Sequence, residues 1–273
     1  ALYGPGRRSH PLLLGQDTRI RLSWWHAWTL WWQGYPDQAL ERGREIVAYS
    51  QQSTHPFEKS WALMILGTVH ILRREPSTEN GVMAAAIQLA REHEFGLFKA
   101  MLPCLQADLF TQQDRPREAI AAIQEHLPAM HASGTQLTLT LILGFLANAH
   151  LALGEIDEGL TAADEGLRVA ERNAEYINVA ELQRVRGELL LLRKSSSSAS
   201  EAEAAFSSAL DTARSQESRA MELRAATSLA RLWQSQGKRK EAHELLVPIY
   251  NWFTEGRSTR DYMEAAALLA NLR

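Results

Sequence analysis

Nine histidines, one cysteine and 32 aspartates and glutamates are the side chains of this 273-residue chain that could hold a metal, attack a carbonyl or relay a proton. Their spacing builds none of those devices. No H-E-x-x-H occurs, and His126 and His131, five residues apart, do not share a helix face. Cys104 stands in "KAMLPCLQADL" with no adjacent histidine or cation to lower its pKa, so it reads as a buried structural thiol. A lone cysteine also forms neither an intrachain disulfide nor a cysteine-based zinc site. No G-x-S-x-G and no glycine-rich phosphate loop is present, and Glu201 and Glu203, two apart on a helix, point to different faces. The expectation is a chain with no catalytic residues, no cofactor and no metal.

A different chemistry is concentrated in "WWHAWTLWWQGYPDQAL", residues 24–40, where five of the eight tryptophans fall within nine positions. At about 100° per residue these five rings share an arc of about 120° on one helix face. Such a stripe serves one of three purposes. It is a platform for a ligand, a hydrophobic core, or an interface for a missing segment or a second copy.

The elements that position these residues follow from the whole chain. With 45% hydrophobic and 22% charged residues it is long enough to bury a sizeable core. A net charge of −3 gives no general attraction to nucleic acid or to anionic membranes. No run reaches about 18 apolar residues, and "ALYGPGRRSHPLLLGQD" lacks a signal-peptide core. These features, with the single cysteine, lead to the expectation of a cytoplasmic protein without membrane contact. The chain begins without methionine and reads as a piece of a longer one.

An internal period sets the architecture. "GYPDQA" from Gly34, "DRPREA" from Asp114, "GEIDEG" from Gly154 and "GKRKEA" from Gly237 share one register, with Glu or Gln fifth and Ala or Gly sixth. Their spacing is 40 residues or about twice that, which calls for weaker copies near 74 and 197, at "RREPSTENG" and "SSASEA". Apolar residues recur three and four apart on both sides of each turn, and nothing alternates as a strand would. The small sixth residue lets the second helix approach the first, and glycine at the turn supplies backbone freedom. The fold class that follows is all-α: a solenoid of about six helix–turn–helix units of about 40 residues, plus a C-terminal capping helix. Residues 1–16 read as an N-terminal extension, 17–257 as repeats turning near 34, 74, 114, 154, 197 and 237, and 258–273 as the cap. The serine run 193–200 reads as a flexible turn within a unit, and Pro248 as a break or kink in the last long helix.

The spacing of Leu229, Ala230, Trp233, Gly237 and Ala242 resembles the tetratricopeptide repeat (TPR). Leu66, Gly67 and His70, and Leu146, Ala147 and His150, fill the same places, with histidine for the family's aromatic residue. "GYPDQAL" and "LARLWQSQGKRKEAHELLVPIYNWFTEG" are similar to the C-terminal TPR arms of bacterial signalling proteins. In those proteins an adenylate/guanylate cyclase or DNA-binding domain precedes a signal-transduction (STAND) ATPase. The resemblance implies a regulatory arm that binds a protein or peptide on its concave face. Alternatively, it senses a small-molecule effector in an enclosed aromatic pocket.

Counting back 13, 10, 6, 3 and 2 residues from each turn gives the positions that face ligand in that family. In the first unit they are Arg21, Trp24, Trp28, Trp31 and Trp32; Trp61 opens the second. Met101, Cys104, Asp108, Thr111 and Gln112 follow in the third unit, Asn148 falls among the five of the fourth, and Arg184, Arg224 and Arg231 among those of the last two. The resemblance assigns Asn148 to clamping a ligand backbone. The expected groove runs from aromatic to basic, suiting a protein or peptide with an acidic end. Upstream ATPase or cyclase domains of the same polypeptide, or a second copy meeting the tryptophans, are the further expected partners.

Overall fold

A computed structural model describes residues 17–75, 81–136 and 138–272; the stretch 1–16 lies outside the described residues. Within them the chain forms thirteen α-helices. The first six are α1 (Thr18–Trp32), α2 (Pro36–Ser50), α3 (Pro56–Arg73), α4 (Val82–Glu92), α5 (Gly96–Gln112) and α6 (Pro116–Ala132). Then follow α7 (Leu139–Leu153), α8 (Ile156–Asn173), α9 (Val179–Leu192), α10 (Ser198–Ser215), α11 (Arg219–Ser235), α12 (Arg239–Trp252) and α13 (Arg260–Leu272). Consecutive pairs pack as six hairpins, and α13 covers the last of them.

Local chemistry explains where the helices stop and start. Pro36, Pro56 and Pro116 open α2, α3 and α6, where their fixed φ suits a first turn and no N–H is missed. The turn residue of the repeat has a left-handed backbone at Gly34 (φ 89°), Arg74 (57°), Asp114 (60°), Gly154 (73°) and Gly237 (81°). Arginine and aspartate therefore carry the conformation that glycine supplies elsewhere. In the fifth unit Lys194 (φ 53°) takes that place, four residues before Ser198 begins α10. At the sixth position Ala39, Ala119, Ala202 and Ala242 are wholly buried. At Gly159 an added Cβ would lie 2.6 Å from a Leu189 methyl of the next unit, so a larger residue would have to displace that side chain.

The expected break at Pro248 does not occur, because α12 runs on to Trp252. The carbonyl that proline leaves without its helical partner belongs to exposed Glu244, where the loss of that bond costs least. The chain turns instead at extended Phe253. Residues 253–259 then cross to the N-terminal unit and close the solenoid on itself.

This seam joins residues more than two hundred positions apart. The N-terminus of α2 has no side-chain cap of its own, and the Glu255 carboxylate supplies one. It accepts the backbone N–H groups of Asp37 (2.8 Å) and Gln38 (3.1 Å) and the Gln38 side-chain amide (3.0 Å). In return the Gly256 N–H donates to Asp37 at 2.8 Å, and Arg73 pairs with the same carboxylate. Gly34 sits so close to Trp252 and Arg219 that a Cβ would come within 2.7–2.8 Å of both. The Ser218 hydroxyl donates to the Trp32 carbonyl, and the Arg224 guanidinium stacks 5.0 Å from the Trp31 ring centre.

Side-chain size differs between the two halves of the core. The first holds tryptophan, phenylalanine and methionine, whereas the second is mainly alanine and leucine around Phe206. None of the described helices is long and apolar enough to cross a membrane.

Candidate functional site

Closure of the ring leaves a central cavity of about 330 Å³. Its wall is made by the first helices of units two to six (α3, α5, α7, α9 and α11), by a 3-10 turn at Tyr176–Asn178 and by the start of α13. A second hollow of about 250 Å³ adjoins it and shares Arg74, Asn148, Leu151, Arg184 and Arg224 with it.

The cavity separates the expected site residues into two groups. Asp108, Thr111, Gln112, Asn148, Arg184 and Arg224 line it, and Arg231 lines the adjoining hollow. Arg21 and the tryptophans do not line the cavity. Arg21 is exposed on α1, and Trp61 is half-buried. Trp24, Trp28, Trp31 and Trp32 are 2%, 2%, 2% and 6% exposed and belong to the core. Because units one and six meet, the inner face of α1 packs on α3 and α11 instead of opening on a groove. Trp24 meets Trp28 (5.0 Å) and Trp61 (5.6 Å) edge to face, and Trp61 reaches Phe98 at 5.2 Å. Trp25 is the ring of the first helix left open, 47% exposed beside Leu22 at 55%.

The expected basic end is neutralised within the wall. Arg184 makes a two-pronged bond to Glu181 at 2.8 and 2.9 Å. Arg224 donates to Asp261 and to the Leu72 carbonyl, both at 2.8 Å, and lies 3.5 Å from Glu181. Arg74 bonds the other Asp261 oxygen at 2.8 Å and reaches Glu264 at 3.2 Å. Burial alone would raise the Glu181 carboxyl pKa, but Arg184, Arg224 and Arg74 hold it well below the usual range. Arg231 differs: its side chain is half exposed and its nearest carboxylates, Glu188 and Glu264, stand at 3.8 and 3.9 Å.

Across the cavity the lining is short of cations. Asp108 is 9% exposed and has no salt-bridge partner among the described residues. Burial pushes its carboxyl pKa up, only partly offset by a Gln112 hydrogen bond and the more distant Arg224 and Arg74. Asn148 projects between the two hollows, and its amide makes no hydrogen bond among the described residues.

Three of the wall's working residues have no mark in the repeat pattern. Asp261 acts through tertiary pairing with Arg74, which is the turn residue of the second unit. Thr140 lies in the first turn of α7, and Asn178 lies in the 3-10 turn between units. Of these only Asp261 carries a local signal, as an acid in a helix's first turn. Elsewhere, no group of histidine, cysteine and acidic residues is placed to hold a metal among the described residues. Burial raises the Cys104 thiol to about 12, and its Sγ donates to the Ala100 carbonyl, which makes it a poor nucleophile.

No protein-family model matches the chain, and no curated protein matches it in sequence. Its fold is similar to that of solved helical-repeat structures. One is a Rap protein complexed with competence and sporulation factor: TM-score 0.61, 15% identity, covering 93% of this chain and 70% of that one. Another is NprR in complex with its cognate peptide NprX: TM-score 0.60, 11% identity, 94% and 73% coverage. Yeast Tom70 aligns with a TM-score of 0.52 and 13% identity over 93% of this chain and 47% of its own. At such identities the likeness establishes the fold, which is a TPR-like helical repeat.

Proposed function

We propose that this chain is a non-catalytic, TPR-like interaction module that holds an extended peptide, or a segment of a partner protein, inside its ring. Asn148 carries the reading. Its amide offers a donor and an acceptor together, the pair that a peptide unit requires, and it stands unengaged between two hollows. An acidic end of the ligand is assigned to Arg231, the half-exposed arginine, because Arg184 and Arg224 are committed to carboxylates.

The module is further assigned to a larger bacterial signalling ATPase or cyclase as its regulatory arm. A ligand acts there by binding one arrangement of the ring more tightly than another. Upstream domains of the same polypeptide, or a second copy, are assigned to the outer face of α1 at Leu22 and Trp25, not to the buried rings. A cytoplasmic location fits this role.

A small-molecule effector is the second reading. It is favoured by the cavity volume, which falls at the lower end of ordinary ligand sites, about 300–1,000 Å³. The lining is polar and aliphatic with Phe145 as its aromatic member, unlike the aromatic pocket expected of a sensor.

Selection of random peptides on the protein, followed by competition with Gly144→Leu, tests the site. Gly144 lines the cavity, and a Cβ there meets only Leu182 at 3.7 Å, so leucine fills the space without breaking the helix. Selected peptides are expected to lose binding to Gly144→Leu. Equal binding to both proteins would place the ligand elsewhere.

A further inference from the structure

One carboxylate at the open end of the adjoining hollow is shared by three arginines. Glu264 of α13 accepts from Arg260 Nε at 2.8 Å and from Arg74 at 3.2 and 3.4 Å, and Arg231 stands 3.9 Å away. These arginines come from the start of α13, the turn of the second unit and the first helix of the sixth. Arg74 and Arg260 divide Oε1, while Arg74 and Arg231 divide Oε2, so three guanidinium groups meet two oxygens. All four side chains are open to solvent: Arg231 is 51% exposed, Arg260 49%, Glu264 32% and Arg74 26%.

Charge is not balanced along the network that continues inward from Glu264. Arg74 leads to Asp261 and Arg231 to Glu188, and from these Arg224 and Arg184 close on Glu181. Five arginines are thereby joined to four carboxylates, which leaves one cation in excess. The excess lies at the open end, where three arginines share Glu264. Two hydroxyls of the hollow add no donor there, because Ser228 gives its proton to Glu188 at 2.6 Å and Thr227 to the Leu223 carbonyl at 2.7 Å. Glu264 thus holds, within the chain itself, the place of an anionic ligand.

We infer that Glu264 is an internal stand-in at a phosphoryl subsite: the phosphate group of a ligand displaces this carboxylate and takes Arg231, Arg260 and Arg74 in its place. The inference rests on the reading of the two hollows as a ligand site, and it names the acid assigned above to Arg231. A ligand carboxylate offers the arginines nothing that Glu264 does not, and Glu264 has the advantage of being tethered beside them. A phosphate monoester brings three acceptor oxygens to three guanidinium groups, and about −1.5 to −2 charge at pH 7 against a single charge. The exchange leaves α13 in place, because Asp261 still pairs with Arg74 and Arg224, and Ala265, Leu268 and Leu269 stay buried.

Inorganic phosphate and acetate, each titrated into the full chain with sodium chloride holding ionic strength, test the exchange without knowledge of the ligand. The readout is the side-chain Nε–Hε resonances of Arg231 and Arg260. Phosphate at millimolar concentration is expected to shift both to saturation, and acetate to leave them unsaturated. Glu264→Gln removes the tethered competitor and is expected to tighten phosphate binding by about threefold or more, with no matching gain for acetate. Arg231→Gln is expected to weaken phosphate about tenfold. A purely structural Glu264 would give no such gain. Failure of phosphate to saturate the unmodified chain, an equal response to acetate, or phosphate binding unchanged or weakened in Glu264→Gln would overturn the assignment. The comparison of the two anions on the unmodified chain decides the matter even if the variants fold poorly. A selected peptide that gains affinity from a phosphoserine at one end assigns the phosphate to the peptide, whereas a phosphate response without that gain assigns it to a small phosphate ester. Cavity-dependent peptides with no phosphate response would overturn the subsite and leave the peptide reading in place. A phosphate response with no selectable peptide would support the subsite and remove that reading.

Discussion

Two walls of one cavity hold carboxylates of similar burial that behave in opposite ways. On the wall of α9, α11 and α13, Glu181 and Asp261 are engaged by Arg74, Arg184 and Arg224. On the wall of α5, Asp108 receives one amide and no cation among the described residues. The first set ties distant parts of the chain together: Asp261 of the last helix grips Arg74 from the second unit, and Arg224 grips the Leu72 carbonyl. The second set ties only neighbouring units, through the Gln112 amide and the Ile71 carbonyl. Burial by itself therefore does not decide how a carboxylate behaves in this molecule. What separates them is whether the protein supplies the partner.

Breaking the paired wall gives the largest effects. Asp261→Ala leaves Arg74 and Arg224 short of a buried carboxylate and is expected to cost about 3–5 kcal/mol in chemical denaturation. Glu181→Gln belongs to the same class and adds a pH signature. A carboxyl held below its ordinary 4.5 stabilises the fold above that value and loses its contribution as pH falls through the native pKa. The stability gap between wild type and Glu181→Gln is therefore expected to be widest at neutral pH and to narrow below about 4.5. For Asp108 the sign reverses. A raised native pKa means that its charge opposes folding once pH rises through that value, so Asp108→Asn is expected to be as stable as wild type or more so at pH 7. An Asp108→Asn loss equal to that of Asp261→Ala would erase the distinction between the walls.

A matched glycine pair sharpens the comparison at the ring seam. Gly154 and Gly237 turn left-handed in open space, whereas Gly34 turns left-handed against Trp252 and Arg219. Gly154→Ala is expected to cost about 1–2 kcal/mol for its backbone alone. Gly34→Ala is expected to cost that amount plus about 1–3 kcal/mol of overpacking. Equal melting temperatures for the two variants would mean that the seam is not closed in solution. The smallest effect belongs to Asn148→Ala, which removes no hydrogen bond and is expected to change stability by less than about 0.5 kcal/mol.

The repeat was legible because a turn and a small buried residue recur in one register, and both are local requirements. Gly34, Asp114, Gly154 and Gly237 mark it in the sequence, and each has the left-handed backbone a tight turn needs. Counting back from those turns also reached Asp108, Gln112 and Asn148, because helical periodicity carries an inward face from unit to unit. Closure was not legible. The contact between Asp37 and Glu255 spans 218 residues and depends on the summed twist of six units, which no local spacing encodes. For the same reason the tryptophan stripe showed its face but not what covers that face. Asn178 escaped because it lies in a connector outside the repeat register.

Isothermal titration of a cavity-selected peptide against wild type and Asn148→Ala tests the central claim most directly. The account expects affinity to fall about tenfold or more, near 1.4 kcal/mol, while the melting temperature stays the same. Unchanged affinity in Asn148→Ala would contradict it, because the unengaged amide at the centre of the ring would then have no ligand to hold.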